Sequence, residues 1–143
     1  NKLYKAYLED FYEFTQTLNS TTAESMRELL AFEADRRTIN ITINSFGTLL
    51  SKTERARLFP NMGKLFPGGN NALAKADELD QVKGIVESVP EYRRLFDDNS
   101  IAGIGSADIT FETIEDKMFE YEVERTYKYT SCILTPQSID SLP

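Results

Sequence analysis

The stretch from residue 22 to residue 46 constrains the fold most, because two hydrophobic periods compete within it. Ile39, Ile41 and Ile43 alternate with polar residues as they would in a β-strand. A longer apolar series recurs every three or four positions if Arg36 fills one of them, and it consists of Leu29, Phe32, Ile39, Ile43 and Phe46. The alternation is short, and packing of a long apolar face offsets the few tenths of a kcal/mol that each β-branched or Asn residue costs a helix. The sequence therefore predicts one continuous helix over 22–46, ended by Gly47 as a left-handed cap.

The segment before this helix has the same spacing. Its apolar residues form one stripe on a predicted first helix, namely Tyr4, Tyr7, Phe11, Phe14 and Leu18. Thr21 followed by Glu24 has capping-box spacing, which predicts that the second helix begins near residue 22. Ser51 with Glu54 repeats that spacing and predicts a short third helix that Pro60 stops.

The remaining segments also favour helices. The stretch "LFPNMGKLFPGGNN" is predicted to be a connector with apolar anchors that ends in a glycine turn. Beyond it, residues 71–88 predict one helix or two short ones, and residues 91–96 a short amphipathic turn. The spacing of Phe111, Ile114, Met118 and Tyr121 predicts a last long helix to about residue 131. The fold class is therefore all-α, built from packed amphipathic helices.

One similarity within the chain bears on its organisation. "LEDFYEF" from Leu8 and "IEDKMFEYE" from Ile114 both place an acidic pair ahead of an aromatic-rich helical face. Chance similarity between amphipathic helices and duplication of a helical unit both explain this pattern. Because the chain opens on Asn1 and stops at "SIDSLP", we expect it to be a fragment of a longer polypeptide.

The net charge argues against general binding to nucleic acid or to a membrane surface. With 16 basic and 23 acidic residues, the net charge of −7 repels phosphate backbones and anionic lipid head groups. Nucleic acid is therefore not an expected partner. No apolar run approaches the roughly 18 to 20 residues that cross a bilayer, so we expect any membrane association to be peripheral and mediated by other subunits.

The chemistry of the common active sites is missing from the sequence. The chain has no histidine, which removes Ser-His-Asp and Cys-His nucleophile pairs and the usual zinc sets. Neither "FGTLLSK" nor "FPGGNNALAK" supplies a phosphate-binding loop, and Asp108 in "GIGSAD" replaces the third glycine of a dinucleotide fingerprint. We therefore predict no catalytic, cofactor-binding or metal-binding residues and no cofactor.

Two charged groups remain to be explained. Carboxylates crowd the last predicted helix and indicate either a solvated face or contacts with a basic partner: Glu112, Glu115, Asp116, Glu120, Glu122 and Glu124. In "EADRR", Glu33 and Arg37 are spaced for a salt bridge, and Arg36 lies within the apolar stripe, where it needs a carboxylate. We interpret Glu33, Asp35, Arg36 and Arg37 as a structural charge network, with contact to a partner protein as the alternative.

Several longer segments carry a resemblance to a known family. In order, "LYKAYLEDFYEF", "FEADRRTINITINSFGT", "RARLFP", "LFPGG" and "IEDKMFEYEV" resemble subunit d of the eukaryotic vacuolar-type proton-pumping ATPase, which is related to the corresponding subunit of prokaryotic rotary ATPases. The resemblance implies three similar helical units arranged as a cup around a hollow. Residues 1–96 would then come from the middle unit, 97–110 would be a flexible loop, and 111–143 would begin the next unit.

The same resemblance implies a function. It predicts a non-catalytic rotor subunit that links the membrane proteolipid ring to the central-stalk subunits and transmits torque during proton transport. The protein would lie on the cytoplasmic face of vacuolar membranes or endomembranes. The alternative reading is a helical adaptor or scaffold unrelated to proton pumping, and an enzyme using a cleft between helices is the third hypothesis.

Overall fold

A computed structural model of the chain describes residues 2–94 and 111–134, with side chains at 2–94 and 114–131. These residues form helices and connecting turns. In chain order the helices are α1 Lys2–Gln16, α2 Thr21–Asn44, α3 Lys52–Leu58, α4 Gly68–Lys75, α5 Leu79–Glu87, α6 Pro90–Arg93 and α7 Phe111–Leu134. The all-α prediction is confirmed. The predicted loop at 97–110, the end of the predicted 91–96 turn and the last nine residues lie outside the described residues.

Helix α2 is the central element, and α1, α3, α4, α5 and α7 all pack on it. The prediction of one continuous helix through the isoleucine run is confirmed. Its polar residues are accommodated because the buried hydroxyls of Thr38 and Thr42 donate to carbonyl oxygens one turn back, at 2.9 and 2.8 Å. The prediction that Gly47 caps the helix was wrong, because α2 ends at Asn44 with Ser45 as its C-cap; Gly47 has a left-handed φ of 70° in the turn that follows.

The two predicted capping boxes had different outcomes. At α3 the box is present as predicted, with Ser51 and Glu54 each bonded to the other's backbone amide. At α2 the prediction was wrong by one residue, because the cap is Ser20, whose hydroxyl oxygen accepts from the amide of Ala23 at 3.1 Å. Thr21 is instead the first helical residue.

The core has two parts. The larger part is enclosed by α2, α4, α5, α6 and α7 and contains Phe32, Ile39, Leu73, Val82 and Ile114 among others. The smaller part lies between α1, α2 and the connector after α3, and includes Leu8, Leu30 and Met62.

The predicted stripe on α1 was partly wrong. Tyr7 and Phe14 are each 57% exposed, whereas Leu8 and Thr15 are buried against the rest of the fold. Aromatic residues occur on more than one side of this helix, so spacing alone did not identify the side that packs on α2.

The connector between α3 and α4 is anchored as predicted by apolar residues, since Phe59, Met62 and Leu65 are buried. The predicted glycine turn at its end was wrong, because Gly68 already begins α4. Gly63 makes the sharp change of direction instead, with φ of 103°. A Cβ atom added there would lie 2.2 Å from Oδ1 of Asp35 in α2.

Replacement of Gly63 tests this packing. We expect Gly63→Ala to lower the free energy of unfolding by about 3 kcal/mol or more, because the methyl group requires a strained φ and collides with a buried carboxylate. Gly84→Ala is the matched control: nothing lies within 4 Å of the added carbon, and the residue is inside α5. That variant should gain about 0.5 to 1 kcal/mol. Urea unfolding that gives both variants similar midpoints would contradict this account.

Candidate functional site

Among the residues that the structure describes, the most deeply buried charged side chain is that of Asp35, which has no exposed surface. One carboxylate oxygen accepts from the backbone amide of Lys64 at 2.8 Å, and the other from the amide of Leu65 at 3.1 Å. The hydroxyl of Tyr92 donates to the first oxygen at 2.5 Å. One side chain thus joins α2 to the connector and to α6.

Local sequence explains why these donors converge on Asp35. The turn at Gly63 directs two successive amides of the connector toward α2. Pro90 occupies the start of α6, where its missing N–H costs no hydrogen bond, and the short helix presents Tyr92 inward. The Tyr92 ring then contacts Phe32 and Tyr121 edge-on, with centroids 5.9 and 6.0 Å apart.

Burial changes the acidity of both members of this hydrogen bond. Removal from water raises the pKa of Asp35 from 3.8 to about 6, although the bonds from Tyr92, Lys64 and Leu65 act in the opposite direction. Burial, followed by the nearby Asp35 charge, raises the pKa of Tyr92 far above its usual value. The tyrosine therefore stays protonated and can donate to the carboxylate.

A second group of contacts surrounds Arg36 and links α1, α2 and α7. Arg36 is half-buried and lies 2.8 Å from a carboxylate oxygen of Glu33 and 3.6 Å from one of Glu122. The hydroxyl of Tyr4 donates to the other oxygen of Glu33 at 2.6 Å. Burial and this bond to Glu33 raise the pKa of Tyr4 to about 12. We call Tyr4, Glu33, Arg36 and Glu122 the Arg36 network.

The four residues predicted as one charge network are therefore divided between two places. Glu33 and Arg36 lie together, whereas Asp35 faces the interior with a different set of partners. Glu33 pairs with Arg36, three residues later, and not with Arg37 at the predicted spacing of four. The guanidinium of Arg37 instead lies 5.0 Å from the centroid of the Tyr4 ring. The apolar spacing predicted that Arg36 would lie at a core position of α2. The charged residue that faces the core is instead Asp35, one residue earlier.

Sequence reasoning missed a third group, centred on Arg125 of α7. Its guanidinium contacts Glu28 of α2 and lies 3.4 Å from a carboxylate oxygen of Glu91 of α6. The hydroxyls of Tyr121 and Tyr129 accept from the same guanidinium. The spacing of these three α7 residues, four apart, was visible in the sequence and could have indicated one polar face.

A buried arginine was also missed. The side chain of Arg55 in α3 is buried and donates to the carbonyl oxygen of Ala76 at 2.6 Å, with longer bonds to those of Leu73 and Ala74. It thereby satisfies carbonyl groups at the end of α4, where the helix dipole favours a positive charge.

These side chains join helices to each other through ion pairs and hydrogen bonds. Within residues 2–94 and 114–131, no three carboxylates or thiols lie together as a metal site would require. None of the described helices combines the length and the apolar character of a membrane span. The arrangement is suited to holding helices in fixed relative positions.

Comparison with known proteins identifies the family. The model of the ATP synthase (C/AC39) subunit family matches residues 1–132. The chain belongs to this family. The match confirms the family resemblance predicted from the sequence.

The chain is also similar to several proteins with curated names. V-type proton ATPase subunit d1 of Arabidopsis thaliana is 46% identical over 129 residues, covering 90% of this chain and 37% of the relative. V-type proton ATPase subunit d of Dictyostelium discoideum is 49% identical over 124 residues, covering 86% and 33%. The Saccharomyces cerevisiae subunit d is 38% identical over 126 residues, covering 87% and 33%. The chain thus spans about a third of the length of these relatives.

The burial of Asp35 predicts an effect of pH on stability. Because the folded-state pKa of Asp35 is raised to about 6, this group stabilises the fold fully below its unfolded value of 3.8, and the stabilisation is lost as pH rises through about 6. The difference between the folded and unfolded pKa values of Asp35 corresponds to about 3 kcal/mol of folding free energy.

Tyr92→Phe removes a hydrogen bond that lowers the pKa of Asp35, so carboxyl ¹³C NMR should show the titration midpoint of Asp35 moving upward.

Tyr121→Phe is the control for this titration, because it removes a hydroxyl from the same aromatic group without removing a bond to Asp35. We expect it to leave the midpoint nearly unchanged. An unchanged or lower midpoint in Tyr92→Phe would show that the tyrosine does not donate to the carboxylate.

We also expect the Arg36 network to stabilise the fold. Arg36→Ala leaves Glu33 and Glu122 without a half-buried cation and should lower the free energy of unfolding by about 1 to 2 kcal/mol. Arg37→Ala removes a cation over an aromatic ring and should cost less than about 1 kcal/mol. Urea unfolding distinguishes the two, and equal small losses would mean that the network contributes no more than a solvated surface.

Proposed function

We propose that this chain is part of a non-catalytic rotor subunit of a vacuolar-type proton-pumping ATPase. The observation that carries the proposal is similarity along nearly the whole chain to proteins named V-type proton ATPase subunit d, from a plant, a slime mould and a yeast. The subunit would link the membrane proteolipid ring to the central-stalk subunits and transmit torque between them. It would lie on the cytoplasmic face of the membrane as a peripheral component.

The described contacts support such a role. A part that transmits torque has to resist relative movement of its helices. Here the Asp35 carboxylate fixes the connector and α6 on α2, while the Arg36 network and Arg125 tie α7 to the same helix. The contacts of Asp35 and Arg36 are made by buried or half-buried side chains, so water competes with them less than at an open surface, whereas the Glu28 partner of Arg125 is exposed.

The proposal includes a division of the chain into units. Residues 1–96 would belong to one helical unit of a three-unit cup and residues 111–143 to the next, with 97–110 joining them. The packing of α7 on α2 would then be a contact between units. This contact contains the Arg36 network and the ion pair of Arg125 with Glu28.

Purification of the complete polypeptide tests the proposal. A tagged form recovered from detergent-solubilised membranes should bring down both the proteolipid ring and the central-stalk subunits, identified by mass spectrometry. The purified polypeptide should neither bind nor hydrolyse ATP. Recovery with neither group of subunits, from membranes whose pump is intact, would favour the adaptor hypothesis instead.

Two variants make the test more specific. Asp35→Ala leaves two buried donors and one partly buried donor without an acceptor, so we expect it to reduce recovery of the pump subunits and ATP-driven proton uptake into vesicles. Asp10→Ala, at an exposed position on α1, also removes one carboxylate and should leave both unchanged. Equal effects of the two variants would contradict a role for the described packing in coupling.

A further inference from the structure

Three contacts between α2 and α7 follow one another along the two helices. They are Glu28 with Arg125, Phe32 with Tyr121, and Arg36 with Glu122. The centroids of the two aromatic rings are 4.9 Å apart, and the nitrogen and oxygen of the last pair are 3.6 Å apart. The three α2 residues are spaced four apart and share one face of that helix. An aromatic contact is thus flanked by an ion pair on each side.

The two ion pairs have opposite polarity. On α2 the carboxylate comes first, at Glu28, and the guanidinium follows at Arg36. On α7 Glu122 supplies the carboxylate for that guanidinium, and Arg125 supplies the cation for Glu28. The two α7 charges are three residues apart, which is roughly one helical turn. If α7 slipped along α2 by one turn, one of its charges would therefore take the place of the other.

A slip of three residues would bring like charges together in either direction. In one direction Arg125 would move to the position opposite Arg36. In the other direction Glu122 would move to the position opposite Glu28. Like charges placed opposite each other disfavour a contact, so both of these arrangements are selected against.

A slip of four residues would instead disrupt the aromatic contact. Lys117 lies four residues before Tyr121, and Arg125 lies four residues after it. Either basic side chain would then take the place of the tyrosine ring against Phe32, which is buried in the core. Burial of a charged group away from its partner is costly, whereas a tyrosine ring is accommodated there.

We infer that the order of charges on α2 and α7 sets the register in which these two helices pack. Apolar packing alone leaves an alternative, because Met118 lies three residues before Tyr121 and could also meet the Phe32 ring. The two ion pairs select Tyr121 for that contact. The inference concerns only the side of α7 that faces α2, and it goes beyond the proposed rotor role without depending on it.

Exchange of the two α7 charges tests the register in the complete polypeptide. Glu122→Arg with Arg125→Glu keeps the net charge but places like charges opposite Arg36 and Glu28. In the unaltered protein, selectively labelled phenylalanine and tyrosine should show a nuclear Overhauser effect between the rings of Phe32 and Tyr121. We expect the exchange to abolish this signal and to make hydrogen exchange of the α7 amides at least about tenfold faster.

A matched control separates this effect from a general response of α7 to altered charges. Glu124→Lys with Lys128→Glu makes the same kind of exchange at two exposed positions of the same helix. It also keeps the net charge. Because neither residue takes part in the three contacts with α2, we expect the ring signal and the amide exchange rates to stay unchanged.

A compensating variant tests pairing across the two helices. Addition of Glu28→Arg and Arg36→Glu to the α7 exchange makes the facing charges opposite again and should restore the ring signal. Recovery of the amide exchange rates should be partial, because Glu33 and Glu91 pair with the native arginines and would then lie beside like charges.

Two results would overturn the inference. If the ring signal persists after the α7 exchange, apolar packing fixes the register without the charges. If the compensating variant does not restore the signal, the α7 exchange acts in some way other than by pairing with α2. The second result decides the question even if the α7 exchange alone unfolds the helix. Recovery of the pump subunits is not a readout of these experiments, so the two proposals fail separately.

Discussion

The carboxylate of Asp35 is the contact on which the arrangement of the described helices most depends. It lies in the centre of α2 without exposed surface and accepts from two connector amides and from the Tyr92 hydroxyl. Without that acceptor, the buried Leu65 amide and Tyr92 hydroxyl would be unsatisfied, each at a cost of roughly 1 to 3 kcal/mol, and the partly buried Lys64 amide would also lose its partner. The path of the connector and the position of α6 therefore both follow from one residue of α2.

Other features of the fold are consistent with the central role of the Asp35 carboxylate. Gly63 is required because its backbone passes so close to the carboxylate that a side chain does not fit. The ring of Tyr92 extends the contact through Phe32 and Tyr121 to α7, where Arg125 reaches Glu28 and Glu91. An apolar residue in place of Asp35 could fill the volume but could not accept the three hydrogen bonds.

The helices were predictable from sequence, and the polar contacts between them largely were not. Periodicity predicted helix 22–46, found as Thr21–Asn44, and a last helix from Phe111. The burial of Asp35 gave no local signal, because its donors lie 29, 30 and 57 residues further along the chain. Asp35 and Arg36 are adjacent in "EADRR" and both are charged, so polarity alone does not show which of them faces the interior. Only tertiary packing places Asp35 inward and leaves Arg36 half-buried.

Amide hydrogen exchange measures the central claim directly. If Asp35 holds the connector, the amides of Lys64 and Leu65 should exchange as slowly as those in the middle of α2, although neither lies in a helix. In Asp35→Ala the same two amides should become at least about tenfold faster relative to α2. Exchange of both amides in the unaltered protein as fast as that of Leu50, whose amide bonds only to a nearby hydroxyl at the surface, would contradict the account.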